Sequence, residues 1–65
     1  MNQYAAFKHN ATAEAFFNPV GLVKLTVGDE INGCTVIAIG ELKDMQAVVD
    51  AENALLPKLS FGDLL

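Results

Sequence analysis

Arginine does not occur in this chain of 65 residues, and its only side-chain cations besides histidine are Lys8, Lys24, Lys43 and Lys58. Arginine is the residue best suited to bidentate contacts with phosphates and base edges, and neutralising phosphate takes clustered positive charge. The lysines lie 16, 19 and 15 residues apart, so no stretch of the chain is basic. Direct nucleic-acid binding is therefore disfavoured. The acids, Glu14, Asp29, Glu30, Glu41, Asp44, Asp50, Glu52 and Asp63, bring the net charge to −4. That excess suits a protein partner with a basic surface.

Cysteine is almost as scarce. Cys34 is the only one, which excludes an intrachain disulfide and a multi-thiolate zinc site. Small secreted domains of this size usually carry several bridges, so a reducing, cytoplasmic compartment is expected. Asn10-Ala11-Thr12 matches the glycosylation acceptor pattern. Residues 1–8 contain no apolar core after a basic start, so no signal peptide is expected and the match reads as accidental. The longest uncharged run, Ile31 to Gly40, has ten residues, well short of the roughly 18 that a membrane helix needs.

Apolar residues, by contrast, make up 52% of the chain. That is too many for a disordered tail, and the length allows one small domain, residues 1–65. A domain this small buries only about 60% of the surface its unfolded chain exposes. Part of the apolar content is then left outside, where a patch of several hundred Å² usually marks a contact surface. A homo-oligomer or a permanent protein partner follows as the first functional expectation. The competing reading is a packed monomer with scattered exposed alanines, of which the chain has nine.

Residues 2–17 read as a helix, because Tyr4, Phe7, Ala11 and Ala15 recur at three- and four-residue steps. Asn10 could instead cap a shorter helix over 11–17, and Asn18-Pro19 ends either one. From Val20 the period changes: Val23, Leu25 and Val27 alternate with Lys24 and Thr26, as in a half-buried strand. Asn32-Gly33 is a strong hairpin signal. A two-residue loop there pairs Ile31 with Cys34, Glu30 with Thr35 and Val27 with Ala38, and makes Gly28 a bulge or sharp bend. Residues 34–39 are rich in β-branched side chains and close at Gly40.

Residues 41–56 admit two readings. As a helix they gather Leu42, Met45, Val48, Val49, Leu55 and Leu56 into one broad stripe, with Glu52 in its middle. As strands, residues 45–51 fold back onto 34–41 through a turn at Leu42-Lys43-Asp44. Propensity favours the helix; Glu52, the Val48-Val49 pair and the need of an isolated hairpin for a third strand favour the second reading. Pro57 then starts an extended stretch, Leu59-Ser60-Phe61, followed by an apolar end, Asp63-Leu64-Leu65.

Val27-Gly28-Asp29-Glu30-Ile31, a long strand from Cys34 and a closing Leu59-Ser60-Phe61 together resemble a small SH3-like barrel over about 40 residues. The expected fold is α+β: a short N-terminal helical segment, 2–17, then a β-rich body, 20–65, forming an antiparallel, SH3-like barrel-type sheet of three or four strands. The alternative packs a second helix, 41–56, across the hairpin.

No residue pattern requires a reaction. His9, the only histidine, has Glu14 five residues on as its nearest acid, off the facing spacing for a metal pair, and reads as a surface or helix-end residue beside Lys8. Cys34 would need an activating base to be a nucleophile. No histidine neighbours it in sequence, so it reads as a buried structural thiol. Asp29 and Glu30 point to opposite faces of a strand. The loop around them lacks the alternating acids of a calcium site, and no phosphate-binding loop, dinucleotide fingerprint or nucleophile elbow occurs. No catalytic residue, metal ligand or cofactor is assigned. Phe16, Phe17 and Phe61 read as core, and Tyr4, Phe7, Leu64 and Leu65 as the candidate interface.

These observations point to a non-enzymatic, small acidic protein that docks on a larger protein and modulates or inhibits it. Accessory proteins of the kind phages and mobile elements encode share that profile. The alternative is a structural subunit of a homo-oligomeric or multi-chain assembly, built on an exposed edge strand and the Leu64-Leu65 end.

Overall fold

The computed structural model describes residues 3–56, which form β1 (Tyr4–His9), β2 (Ala15–Pro19), β3 (Glu30–Ile31), β4 (Cys34–Gly40) and α1 (Leu42–Ala54). The strands make one antiparallel, curled sheet in the order β2-β1-β4-β3. Among the described residues the fold is thus α+β, a barrel-like sheet with one helix.

The N-terminal segment is a hairpin, not the helix expected over 2–17. Phe7 lies opposite Phe16, and their rings stack with centroids 5.2 Å apart. On the other face the Tyr4 and Phe17 rings meet edge to face at 6.2 Å. Aromatic cross-strand pairs of this kind stabilise a sheet by about 0.2–1 kcal/mol each, and here they outweigh the helical propensity of the alanines. Asn10 caps no helix. It sits in the connecting loop, where its N–H donates to the Gly33 carbonyl and its side-chain oxygen accepts from the Thr35 hydroxyl at 2.6 Å. The loop closes with Ala13 N–H donating to His9 O, and Ala13 takes φ 67°.

The second hairpin follows the expected register, Ile31 opposite Cys34 and Glu30 opposite Thr35. Asn32 and Gly33 both have positive φ, 51° and 81°, as a type I′ turn requires. Gly28 is a bulge: its N–H donates to Val36 O while Val36 N–H donates to Asp29 O, so two residues oppose one. The expected strand over residues 23–27, with Val27 opposite Ala38, does not form. Asp29 N–H donates back to Thr26 O, and the Asp29 carboxylate accepts from Thr26 N–H at 2.9 Å. This tight turn, with Gly28 at φ 104°, sends the chain away from the sheet before Val27 can pair.

Residues 42–54 form the helix of the alternative reading, which propensity favours; the expected strand over 45–51, folded back onto 34–41, does not form. Met45 and Val49 bury against Ala6 and Ala15, with Tyr4, Phe17, Ile37, Ala38 and Val48 packed around them. Glu52, awkward in the apolar stripe, meets Lys8 of β1 at 3.2 Å. Asn53 reaches the edge strand: its Oδ1 accepts from Ala15 N–H at 2.8 Å and its Nδ2 donates to Ala15 O at 3.1 Å. The closing strand Leu59-Ser60-Phe61 of the SH3-like reading lies outside the described residues.

Candidate functional site

β2 and β3 occupy opposite edges of the sheet, so the connection between them, residues 20–29, has to cross it. α1 covers one face, and the connection therefore straps the other. That second face carries Ala5, Phe7, Cys34 and Val36, with Phe16, Val20, Leu25 and Ile39 packed against them. Val36 is only 1% exposed, so the strap completes a real second core layer. Val23 N–H donates to Val20 O in a turn that places Gly21 at φ 55°, and Leu25 dips to the sheet.

The strap is tied down at a few points only. Leu22 is fully exposed, and Val23 and Val27 are 61% and 58% exposed. Between the strap and the end of the sheet lies an open cleft of about 450 Å³, lined by Gln3, Val20, Leu22, Val23, Leu25 and Ile39 among others. Lys24 is the charged side chain on its rim. Apolar side chains that stand in solvent beside a concavity are the arrangement a docking surface needs.

At the other end of the same face, β1 and β4 bring together two residues that the sequence keeps 25 positions apart. His9 pairs with Cys34 in the ladder, and Cys34 Sγ lies 3.2 Å from His9 Nδ1. The imidazole also packs on the Phe16 ring, with centroids 5.0 Å apart and planes tilted by 36°. His9 is thus half-buried in a strand, not the surface or helix-end residue expected. Cys34 is buried, as expected of a structural thiol, at 7% exposure. Among the described residues no group of three or more His, Cys, Asp and Glu side chains converges as a metal site would require.

The candidate interface residues are dispersed. Phe7 is buried in the strapped face, whereas Tyr4 is half-buried on the helix-covered face. Leu64 and Leu65 lie outside the described residues. Sequence reasoning did not single out Leu22, Val23 and Val27 as exposed; the alternation of Val23, Leu25 and Val27 with Lys24 and Thr26 reads as a strand. No helix among the described residues is long and apolar enough to cross a membrane. Compared with known protein families, curated proteins and solved structures, the chain matches none.

Proposed function

We propose that this chain is a non-enzymatic interaction protein that docks on a larger protein partner and modulates or blocks it. One observation carries the reading: Leu22, Val23 and Val27 stand exposed on the strap, and the first two line an open cleft of mixed polar and apolar character. Exposing such residues to water costs about 1.5–3 kcal/mol apiece relative to full burial, a driving force that a partner's apolar side chain entering the cleft would capture. The net charge of −4 favours a partner with a basic rim and speeds its encounter. A reducing, cytoplasmic setting suits the single thiol. In this reading the curled sheet is a small SH3-like barrel serving as a rigid platform for the strap.

The test compares the full chain with a Leu22→Ser, Val23→Ser double variant. Both are tagged and crosslinked in lysate of the source cell, with circular dichroism and urea midpoints showing an unchanged fold. A defined protein held by the parent chain and lost from the variant is expected. Identical captured sets, or none from either, would remove the reading.

A second reading, self-assembly as a structural subunit, draws on the other edge. Ala5, opposite Ile39, bonds to β2, so the Ile39 main chain faces away from β1, and past Val36 no strand among the described residues pairs there. Sedimentation of the purified chain separates the two: a discrete higher oligomer favours self-assembly, a monomer the heterologous partner.

A further inference from the structure

We propose that Cys34 is a site of reversible mixed-disulfide formation, with His9 as the base that takes its proton. Three features of the geometry support it. The sulfur and His9 Nδ1 lie at hydrogen-bonding distance, 3.2 Å, which is within the nucleophile–base spacing that an activated thiol requires, and Nδ1 accepts whenever the ring carries its proton on Nε2. The imidazole is not free to swing away, because it rests on Phe16 and its backbone is fixed opposite Cys34 in the ladder. The pair also sits at the tip of the sheet, where Cys34 directly follows the exposed Asn32-Gly33 turn. Cys34 itself is 7% exposed, and α1 covers the opposite face of the sheet.

The co-reactant is a low-molecular-weight disulfide of the glutathione class. Cys34 Sγ attacks one of its sulfurs as His9 Nδ1 accepts the thiol proton. A new bond forms between Cys34 and that sulfur, the original sulfur–sulfur bond breaks, and the departing thiolate takes the proton from the imidazolium. Cys34 is oxidised to a mixed disulfide, and the disulfide it attacks is reduced at one sulfur, which leaves as one free thiol. A second thiol reverses the exchange. The same chemistry joins the protein's state to the strapped face, since Cys34 packs with Phe7 and Val36 beneath it.

The test uses the full chain and glutathione disulfide at neutral pH, with mass spectrometry counting the glutathionyl adduct. The folded chain is expected to react at a rate linear in disulfide concentration, and faster than the same chain unfolded in urea. Replacing His9 by Phe, which keeps a ring against Phe16, or by Gln, is expected to slow the folded reaction by about 100-fold, the low end of what a positioned base contributes. Two results would overturn the proposal. One is a folded rate below that of the unfolded chain, or independent of disulfide concentration as when global opening limits it. The other is a folded His9 variant that reacts as fast as the parent. The comparison with unfolded chain decides the matter even where neither variant folds.

Discussion

Asn53→Ala is the perturbation most directly weighed from the structure. The Asn53 carboxamide satisfies both main-chain groups of Ala15, at 2.8 and 3.1 Å, and Ala15 is buried. In β1 the odd-numbered residues bond to β2, as His9 N–H to Glu14 O and Val20 N–H to Gln3 O show. The outward main-chain groups of β2 are therefore those of Ala15, Phe17 and Pro19. Deleting the carboxamide leaves two buried groups with poor access to water, a cost of about 1–3 kcal/mol. Alanine's better helix propensity returns up to about 0.7 kcal/mol, so a net loss of about 1.5 kcal/mol is expected. A domain of this length has on the order of 3–10 kcal/mol in total. With a urea slope near 1 kcal/mol/M, the midpoint followed by circular dichroism should fall by about 1.5 M. Asn53→Asp keeps the acceptor for Ala15 N–H but sets a carboxylate oxygen against Ala15 O, and should lose at least as much. A midpoint shift under about 0.3 M in the alanine variant, or an aspartate variant as stable as the parent, would refute the reasoning. The carboxamide would then be no more than a surface contact that water replaces.

Four further outcomes follow from particular residues. Ala13 holds φ 67°, so Ala13→Gly should relieve left-handed strain and, after the glycine's extra unfolded-chain entropy, stabilise by about 0.5 kcal/mol; a thermal midpoint raised by roughly 3 °C checks it. Gly28→Ala meets no atom at the new Cβ, but its φ of 104° should cost about 1–3 kcal/mol, and an unchanged urea midpoint would refute the bulge. Met45→Ala, which empties the 3%-exposed contact between α1 and the sheet, should cost about 2–4 kcal/mol by calorimetry. Glu52→Gln breaks the pair with Lys8, whose side chains are 39% and 30% exposed for Lys8 and Glu52; solvent screening should hold the loss near 0.5 kcal/mol or below, and lower still in high salt.

The hairpin at Asn32-Gly33 was legible because its signal is stereochemical. Asn32-Gly33 demands positive φ at two successive positions, and the register of β3 on β4 follows from that alone. The first half was misread for a reason that lies in packing. β1 is a central strand with α1 on one face and the strap on the other, so Ala5, Ala6 and Phe7 are all buried. A strand buried on both sides loses the alternation that identifies it. The small side chains that let a helix approach β1 closely are those with the highest helix propensity. Residues 41–56 show the converse. Glu52 looked wrong for a helix because its partner, Lys8, sits on a strand distant in sequence, and only the tertiary pairing explains the charge in the stripe.

The same misreading hid the Cys34–His9 pair. On a helix, His9 has only its near neighbours to face; on β1 it shares a side with Ala5 and Phe7, and Cys34 shares a side with Val36. The Asn32-Gly33 turn fixes which face of β4 Cys34 occupies, so the missing step was the pairing of β1 with β4. That step is non-local, and it is also what makes the strap unavoidable. With β1 inserted between β2 and β4, the ten residues 20–29 have a full sheet width to cross, and the face they cross must be the one without α1. Val23, Leu25 and Val27 keep the alternation of a strand, but Leu25 alone packs inward while the Gly28 turn prevents the others from joining the ladder. The exposure of Leu22, Val23 and Val27 is thus a consequence of topology: any sequence that keeps this strand order and this bulge must carry its connection across the open face, and what it places there meets solvent or a partner.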